Sequence, residues 1–353
     1  MNRLVTDIIN RWKSYRNRKL LQSPCSASYA FVGVGSHAMQ NLYPVLQYVG
    51  TKLKYICCKS PDKLQLVEHR FGVKATTSLE DILNDDEVKG VFVCASPDSH
   101  YSICKRLIDA GKYVFMEKPP CRTADELEQL VLADTKQLVM TGMQKRYSPY
   151  VRTLKAELSG NHPVSYTMIY HTGAYPEGNP FTDLFIHAVD LSIFLFGNAK
   201  IKDFQHSERN GTTTIQILLS HSNIMGFMEL STAFSWSNPE ETLRINTTAG
   251  EYRLTQMEKL SYYRHPRRCF GVPLEKIGLF TVSERVLAER NNFNPLAVNN
   301  QLYTQGFLSE IKAFAEFVEY SGKNYSALPS LVPIYKLLDT LQKKNLLLSD
   351  KTF

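Results

Sequence analysis

The 353-residue chain has no run of 18 or more consecutive apolar residues, which leaves out the usual sequence signature of a membrane-spanning helix. No continuous apolar core with a small-residue cleavage site precedes the first strand, so no secretory leader is expected. The seven cysteines include no CxxC pair, and an odd count with Cys57 and Cys58 adjacent does not suit a disulfide framework. Reduced thiols and a cytoplasmic location are therefore expected. HExxH and cysteine-ligand motifs are also lacking, so no metal site is expected. Nor is there much net charge in the body of the chain. Of the formal +7, five charges come from residues 1–20, where Arg3, Arg11, Lys13, Arg16, Arg18 and Lys19 face only Asp7. The remainder is too weakly basic for a nucleic-acid binder.

What is present is an ordinary globular composition, 43% hydrophobic and 21% charged, in a length suited to about two domains. Residues 1–27 form a basic amphipathic extension, with Leu4, Val5, Ile8, Ile9, Trp12 and Tyr15 at helical spacing. The preferred reading is a helix packed on the following domain with a solvated basic face. Contact of residues 1–20 with an anionic membrane or a partner is the less favoured alternative.

From residue 28 to 147 short β-type runs alternate with helical patterns. Strands are expected at 29–32, 54–58, 90–94, 113–116 and 138–141, and helices near 37–49, 61–70, 99–110 and 123–134. Runs such as "VFVCA" and "YVFME" lack polar alternation, as strands of a parallel sheet covered on both faces do. The pattern is that of a doubly wound α/β domain. Its first turn reads Gly33-x-Gly35-x-x-Ala38, with Ser36 and His37 between. The glycines permit a tight turn and close approach of a pyrophosphate, and the small Ala38 lets helix and strand pack. Pro44 must kink or shorten the helix that follows. At the end of the second strand stand Cys58, Lys59 and Ser60, with no carboxylate where NAD sites usually place one. Lys59 suits a 2′-phosphate, so NADP(H) is favoured over NAD(H).

A second feature is the apolar run "PFTDLFIHAVDLSIFLFG" at 180–197, interrupted by Asp183, His187 and Asp190. On a regular helix these three would form one stripe. Buried carboxylates and imidazoles need partners.

Four motifs in order, "VGVGSHA", "ASPDSHY", "GKYVFMEKPP" and "TGMQKRYSPYV", followed late in the chain by "QGFLSEIKAFAEFV", resemble the Gfo/Idh/MocA oxidoreductases over nearly the whole chain after residue 28. The resemblance implies a Rossmann domain over 28–147 and, over 148–353, a substrate-binding and oligomerisation α+β domain with a mostly antiparallel open sheet. It implies cofactor contacts from Ser96, Pro97, His100, Glu117, Lys118 and Pro119, and often a cis bond before the proline of the EKP motif, here Lys118–Pro119. By the family's D-x-x-x-H motif, Lys118, Asp183 and His187 would be the catalytic group. The residue types fit that chemistry: an imidazole titrating near pH 6.5 for proton transfer, a carboxylate one turn earlier to orient it, and an ammonium to polarise a substrate oxygen. Asp190 is read as a structural hydrogen-bonder. "YPEGNPFTD" departs from the glycine-rich lead common in the family, which puts the substrate's identity in question rather than the reaction.

In the second half, alternating strands are expected within 163–172, 212–220, 223–234 and 241–255, a helix over 181–196, a long loop over 270–300 able to cover the site, and closing helices at 301–320 and 331–345 that pack back near the domain boundary. Met225, Phe227, Met228 and Phe234 are candidates for an oligomer face. Lys145, Arg146 and Tyr147 are candidate substrate contacts; "RHPRR" at 264–268 is read as a solvated loop, or, facing the cleft, as a reader of a nucleotide-sugar diphosphate. The expectation is an NAD(P)-dependent oxidoreductase acting on a carbohydrate-like small molecule, in a homodimer or homotetramer. The alternatives are a redox-neutral glycosidase or epimerase with bound dinucleotide, and a non-enzymatic sensing regulator.

Overall fold

A computed structural model describes residues 3–21, 25–279, 281–293 and 296–349. Residues 1, 2 and 22–24 of the basic extension, 280, 294 and 295 of the expected long loop, and 350–353 of the expected second domain lie outside the described residues. Helix α1 (Arg3–Leu21) is followed by β1 (Ser28–Val32), α2 (Tyr43–Val49), β2 (Lys52–Cys57), α3 (Leu64–Phe71), β3 (Lys74–Thr76), α4 (Glu80–Leu83), β4 (Val88–Val93), α5 (Pro97–Asp109), β5 (Tyr113–Glu117), α6 (Ala124–Ala133) and β6 (Val139–Gly142). The six strands form one sheet in the order β3-β2-β1-β4-β5-β6, with every pairing parallel. The strand order reverses between β1 and β4, which opens a crevice at the carboxyl ends of the strands.

β3 and α4 were not expected. "KAT" is too short to show any period, and α4 is a single turn. As expected, Pro44 shortens the regular α-helix after β1, which runs only over Tyr43–Val49. Residues Ala38–Leu42 widen into a π-helical turn, in which the Tyr43 N–H reaches the Ala38 carbonyl, and α2 starts after it with Pro44 in its first turn. A wider turn beside a residue that lacks an N–H is a common way to absorb a proline.

The chain continues through α7 (Pro149–Gly160), β7 (Pro163–His171), α8 (Ile186–Phe196), β8 (Lys200–Arg209), β9 (Thr212–His221), β10 (Ile224–Ser231), β11 (Glu240–Thr247), β12 (Gly250–Thr255), β13 (Lys259–Arg264), the hairpin β14 (Arg268–Cys269) and β15 (Val272–Pro273), and β16 (Glu284–Glu289). The second sheet runs β16-β13-β12-β11-β7-β10-β9-β8 and is antiparallel except for the parallel pair β7 and β10. β13 was not expected from the sequence, and neither were the two edges, β8 and β16. Both carry many charged residues, as exposed edges often do, and so lack an apolar signal. β16 also shows that the expected loop over 270–300 in part extends the sheet. On β10, Met225 and Phe227 are exposed on the outer face whereas Met228 is fully buried on the other, so the four candidate oligomer residues do not share one face.

The last helices are α9 (Gln301–Thr304), α10 (Phe307–Tyr320) and α11 (Val332–Ser349). The expected helix over 301–320 is broken at Gly306, whose φ of +104° is left-handed and whose β-carbon would fall 1.9 Å from the Gln144 carbonyl oxygen. Only glycine allows that close approach. α10 then crosses to the first sheet. Phe314 lies with its ring 4.9 Å from that of Phe92 on β4 and 5.7 Å from that of Phe115 on β5, both edge-on. The first sheet is therefore closed by a helix from the far end of the chain.

Removing the ring in Phe314→Ala should lower the unfolding free energy by about 3–5 kcal/mol, the usual cost of deleting a buried aromatic. Urea denaturation would measure it. An unchanged midpoint would mean that α10 does not hold the first sheet.

Candidate active site

The loop after β1 sits where the strand order reverses. Gly33 has φ of +115°, and a β-carbon there would lie 2.1 Å from the Cys94 carbonyl oxygen at the end of β4. Gly35 has nothing within 4 Å of its β-position, so its backbone is open to a ligand. Ala38 is fully buried behind the loop. Beside the loop lies a cavity of about 660 Å³, lined by Gly33, Gly35, Ser36 and His37, by Cys58, Lys59 and Ser60 after β2, and by Ser96 after β4. That volume is in the range of small-molecule sites. Lys63 and Arg106 line it too, and the sequence reading missed both. These residues fit a dinucleotide: glycines for its pyrophosphate, and cations and a hydroxyl at the end of β2.

The other residues expected to touch a cofactor stand behind this wall. Pro97 occupies the first turn of α5. His100 is buried, with Nδ1 2.8 Å from the Pro119 carbonyl oxygen and Nε2 3.1 Å from that of Ala95, so it ties the end of β4 to the turn after β5. Burial keeps its pKa below the ordinary imidazole value. The Lys118–Pro119 bond is cis. Buried Glu117 accepts from the Lys118 N–H at 3.1 Å and lies 3.4 Å from His37 Nε2. Asn41 donates to His37 Nδ1 at 2.8 Å, which leaves the ring proton on Nε2, toward Glu117.

Lys118, at the carboxyl end of β5, extends its ammonium to the main-chain carbonyl of Asp183, 2.5 Å away. Burial lowers its pKa, against the opposing pull of Glu117 and Asp183. His187 on α8 is 7% exposed. Burial first, then the nearby Lys118, Lys145 and His37, hold its pKa well below the ordinary value, so the imidazole is neutral.

The expected single stripe does not form. Residues Phe181–Phe185 are π-helical and pass into α8 at Ile186. The widened turn shifts Asp183 off the i, i+4 alignment with His187, and the Asp183 and Asp190 carboxylates take different partners. The Asp183 carboxylate does not meet the imidazole. It accepts from Asn179 N–H at 3.1 Å, Thr182 hydroxyl at 3.0 Å and Tyr175 hydroxyl at 3.4 Å, with an Arg122 nitrogen 3.8 Å away. Asp190 receives Arg146 through Nε at 2.8 Å and Nη2 at 2.5 Å.

Lys145, Arg146 and Tyr147 therefore diverge. Lys145 points to the site, where it pairs with Glu241 and stands 4.8 Å from the centre of the Tyr170 ring. Arg146 is turned inward onto Asp190, the Tyr325 carbonyl at 2.7 Å and the Ser330 hydroxyl at 2.8 Å. Tyr147 is buried, its hydroxyl 3.0 Å from that of Ser326. Neither is free to contact a substrate. In the 264–268 segment, the arginines are exposed and none lines the dinucleotide cavity. Arg122, Tyr175, Glu241 and Glu310 are polar neighbours of this region that the sequence reading did not single out. Arg122 stands two residues after Pro120 and was in reach of it; Glu241 and Glu310 are adjacent only through the fold. Glu310 is fully buried on α10, where its carboxyl faces the Met143 backbone N–H. Burial, then Glu117, push its pKa well above the ordinary value. No group of three or more ligating side chains able to hold a metal occurs among the described residues.

Fold and loop thus define a Rossmann dinucleotide-binding domain joined to an α+β domain built on a mostly antiparallel sheet. Residues 27–144 match the Gfo/Idh/MocA profile, described as an oxidoreductase family with an NAD-binding Rossmann fold. An uncharacterized oxidoreductase YhhX of Escherichia coli is 36% identical over 35% of this chain and 39% of its own length. An inositol 2-dehydrogenase of Rhizobium meliloti is 22% identical over 49% of this chain and 56% of its own. The chain thus spans between about two fifths and just over half of these relatives. A crystal structure of a dehydrogenase from Chromobacterium violaceum superposes with a TM-score of 0.77 at 16% identity, covering 90% of this chain and 95% of the other, and so shares the fold.

Asp190→Ala should destabilise by about 3–5 kcal/mol, because it leaves the Arg146 charge buried and unpaired. Chemical denaturation at neutral pH checks this; a cost under about 1 kcal/mol would mean that the pair is not structural. Glu310 provides a pH test. Its folded pKa lies above the unfolded value, so its contribution is fully present below about pH 4 and is lost as pH rises toward the folded pKa. Glu310→Gln should therefore raise the melting temperature at pH 7–8 and leave it unchanged near pH 4.

Proposed function

We propose that the protein is an NADP(H)-preferring oxidoreductase that interconverts an alcohol and a ketone or aldehyde on a sugar, polyol or sugar derivative. The observation that carries this reading is the neutral His187 imidazole, set among the Lys118 and Lys145 ammonium groups at the carboxyl edge of the parallel sheet, next to the Gly33–Ala38 loop. A nicotinamide dinucleotide held in the cavity supplies or takes the hydride. The chain's own residues handle the proton. His187, neutral and buried, accepts the hydroxyl proton as a carbinol is oxidised and returns it in the reverse direction. The Lys118 ammonium, partly stripped of water, stabilises charge that builds on the substrate oxygen. Asp183 acts at one remove: its main-chain carbonyl fixes Lys118, and its carboxylate holds the 175–182 segment that shapes the pocket. The inositol 2-dehydrogenase among the relatives supports a polyol-like substrate.

The preference for NADP(H) rests on the adenosine end of the cavity, where Lys59, Lys63 and Arg106 are lining residues and no carboxylate is. The exposed Met225 and Phe227 on the outer face of the second sheet support self-association, as a dimer or tetramer.

Calorimetric titration of cofactor-free protein with NADPH and NADH in parallel tests the cofactor. NADPH should bind more tightly. Lys59→Ala should weaken NADPH about tenfold or more, the worth of a hydrogen bond to a charged group, and alter NADH by less than about twofold. Equal losses would remove Lys59 from the choice. His187→Ala should lower turnover by roughly 10²–10⁴-fold with dinucleotide affinity unchanged. Unchanged turnover would sink its acid/base role, and no absorbance change with any carbohydrate, with dinucleotide retained through dialysis, would favour a redox-neutral reaction.

A further inference from the structure

The sequence reading preferred to pack residues 1–20 on the following domain. The structure does not: every side chain described from Leu4 to Arg18 in α1 is exposed, among them Leu4, Ile8, Trp12 and Tyr15 at more than half of their full surface. At about 100° per residue, Leu4, Val5, Ile8, Ile9, Trp12 and Tyr15 fill one arc of roughly 140°. Arg11 and Arg18 border this arc on one side, and Lys13 and Arg16 lie at its other margin. The Arg16 guanidinium lies over the Trp12 ring, 4.9 Å from its centre. Thr6, Asp7, Asn10, Ser14 and Asn17 occupy the opposite, polar face.

We propose that α1 docks the protein onto an anionic lipid bilayer, lying in the plane of the headgroups. Charge complementarity selects this occupant. An apolar partner surface would satisfy the arc but leave four flanking cations without anions, whereas a layer of phosphodiester headgroups meets both. Over residues 4–18 the order of groups around the helix, apolar in the middle and basic toward both borders, lets long basic side chains reach up to phosphates while rings and branched aliphatics enter the acyl boundary. Trp12 and Tyr15 are of the type that settles at this depth. No helix among the described residues is long and apolar enough to cross a membrane, so α1 lies on the surface. A surface-held catalyst suits a carbohydrate substrate that is itself attached to, or used at, a membrane.

The test is sedimentation of the full chain with sucrose-loaded vesicles, either of phosphatidylcholine alone or of phosphatidylcholine and phosphatidylglycerol mixed equally. The protein should pellet with the anionic vesicles and not with the neutral ones, and high salt should weaken binding. Arg11→Glu/Arg18→Glu should reduce partitioning by at least about 25-fold, at about fivefold per basic residue. Ile8→Asp/Trp12→Glu should abolish it, and in a Trp236→Phe background the emission of Trp12 should shift to the blue with anionic vesicles. No binding to anionic vesicles, equal binding to both kinds, or loss of a dimer in Ile8→Asp/Trp12→Glu without any lipid binding in the parent would overturn the proposal. None of these results bears on turnover, so this inference and the oxidoreductase reading fail separately.

Discussion

The buried ion pair of Arg146 and Asp190 fixes the relation of the two halves. Arg146 follows the last strand of the parallel sheet, and Asp190 sits in the middle of α8, the helix that carries His187. The remaining guanidinium donors go to Tyr325 and Ser330, between the last two long helices. One side chain thus gathers three separate stretches of chain. A planar guanidinium with several fixed donors suits this; a lysine, with a single point of charge, would not hold all three. Since Lys118 belongs to one half and His187 to the other, their mutual position depends on this joint.

The site built across that joint is electrostatically unbalanced by design of the backbone. Lys118 and Lys145 both act on a neutral imidazole, while Glu117 and Glu241 each hold one end of the cluster. Fixed donors of this kind need little reorganisation when negative charge develops on a substrate oxygen, which is where such an arrangement contributes most to rate. The carboxylate nearest in sequence, Asp183, is diverted to the pocket-shaping segment. On the proposed reading, proton transfer falls to the imidazole and charge stabilisation to the lysine.

Much of this was legible in the sequence because it rests on local signals. The Gly33–Ala38 turn, the apolar runs of β1, β4 and β5, and the EKP motif that holds Lys118 are all written within short stretches. Asp183 was found but given the wrong neighbour, because an i, i+4 pair assumes a regular turn and the chain there is π-helical. Arg146 was mistaken for a substrate contact for a different reason. A basic residue beside an aromatic at a domain junction looks the same whether it faces a cleft or a buried carboxylate 44 positions away. The edges β8 and β16 were missed since charged edge strands carry no apolar period, and Glu310 has no sequence signal separating it from any solvated glutamate on a helix.

The packing of Phe314 against β4 and β5 has a consequence for how the molecule comes into being. The contacts that close the first sheet join residues about two hundred positions apart, a non-local pairing of the kind that slows folding. On a ribosome, the parallel sheet and its glycine loop emerge long before the helix that covers their aromatic face. Until α10 has been made, Tyr29, Phe92 and Phe115 present an open apolar surface, and the half that resembles a complete nucleotide-binding domain is an unfinished one.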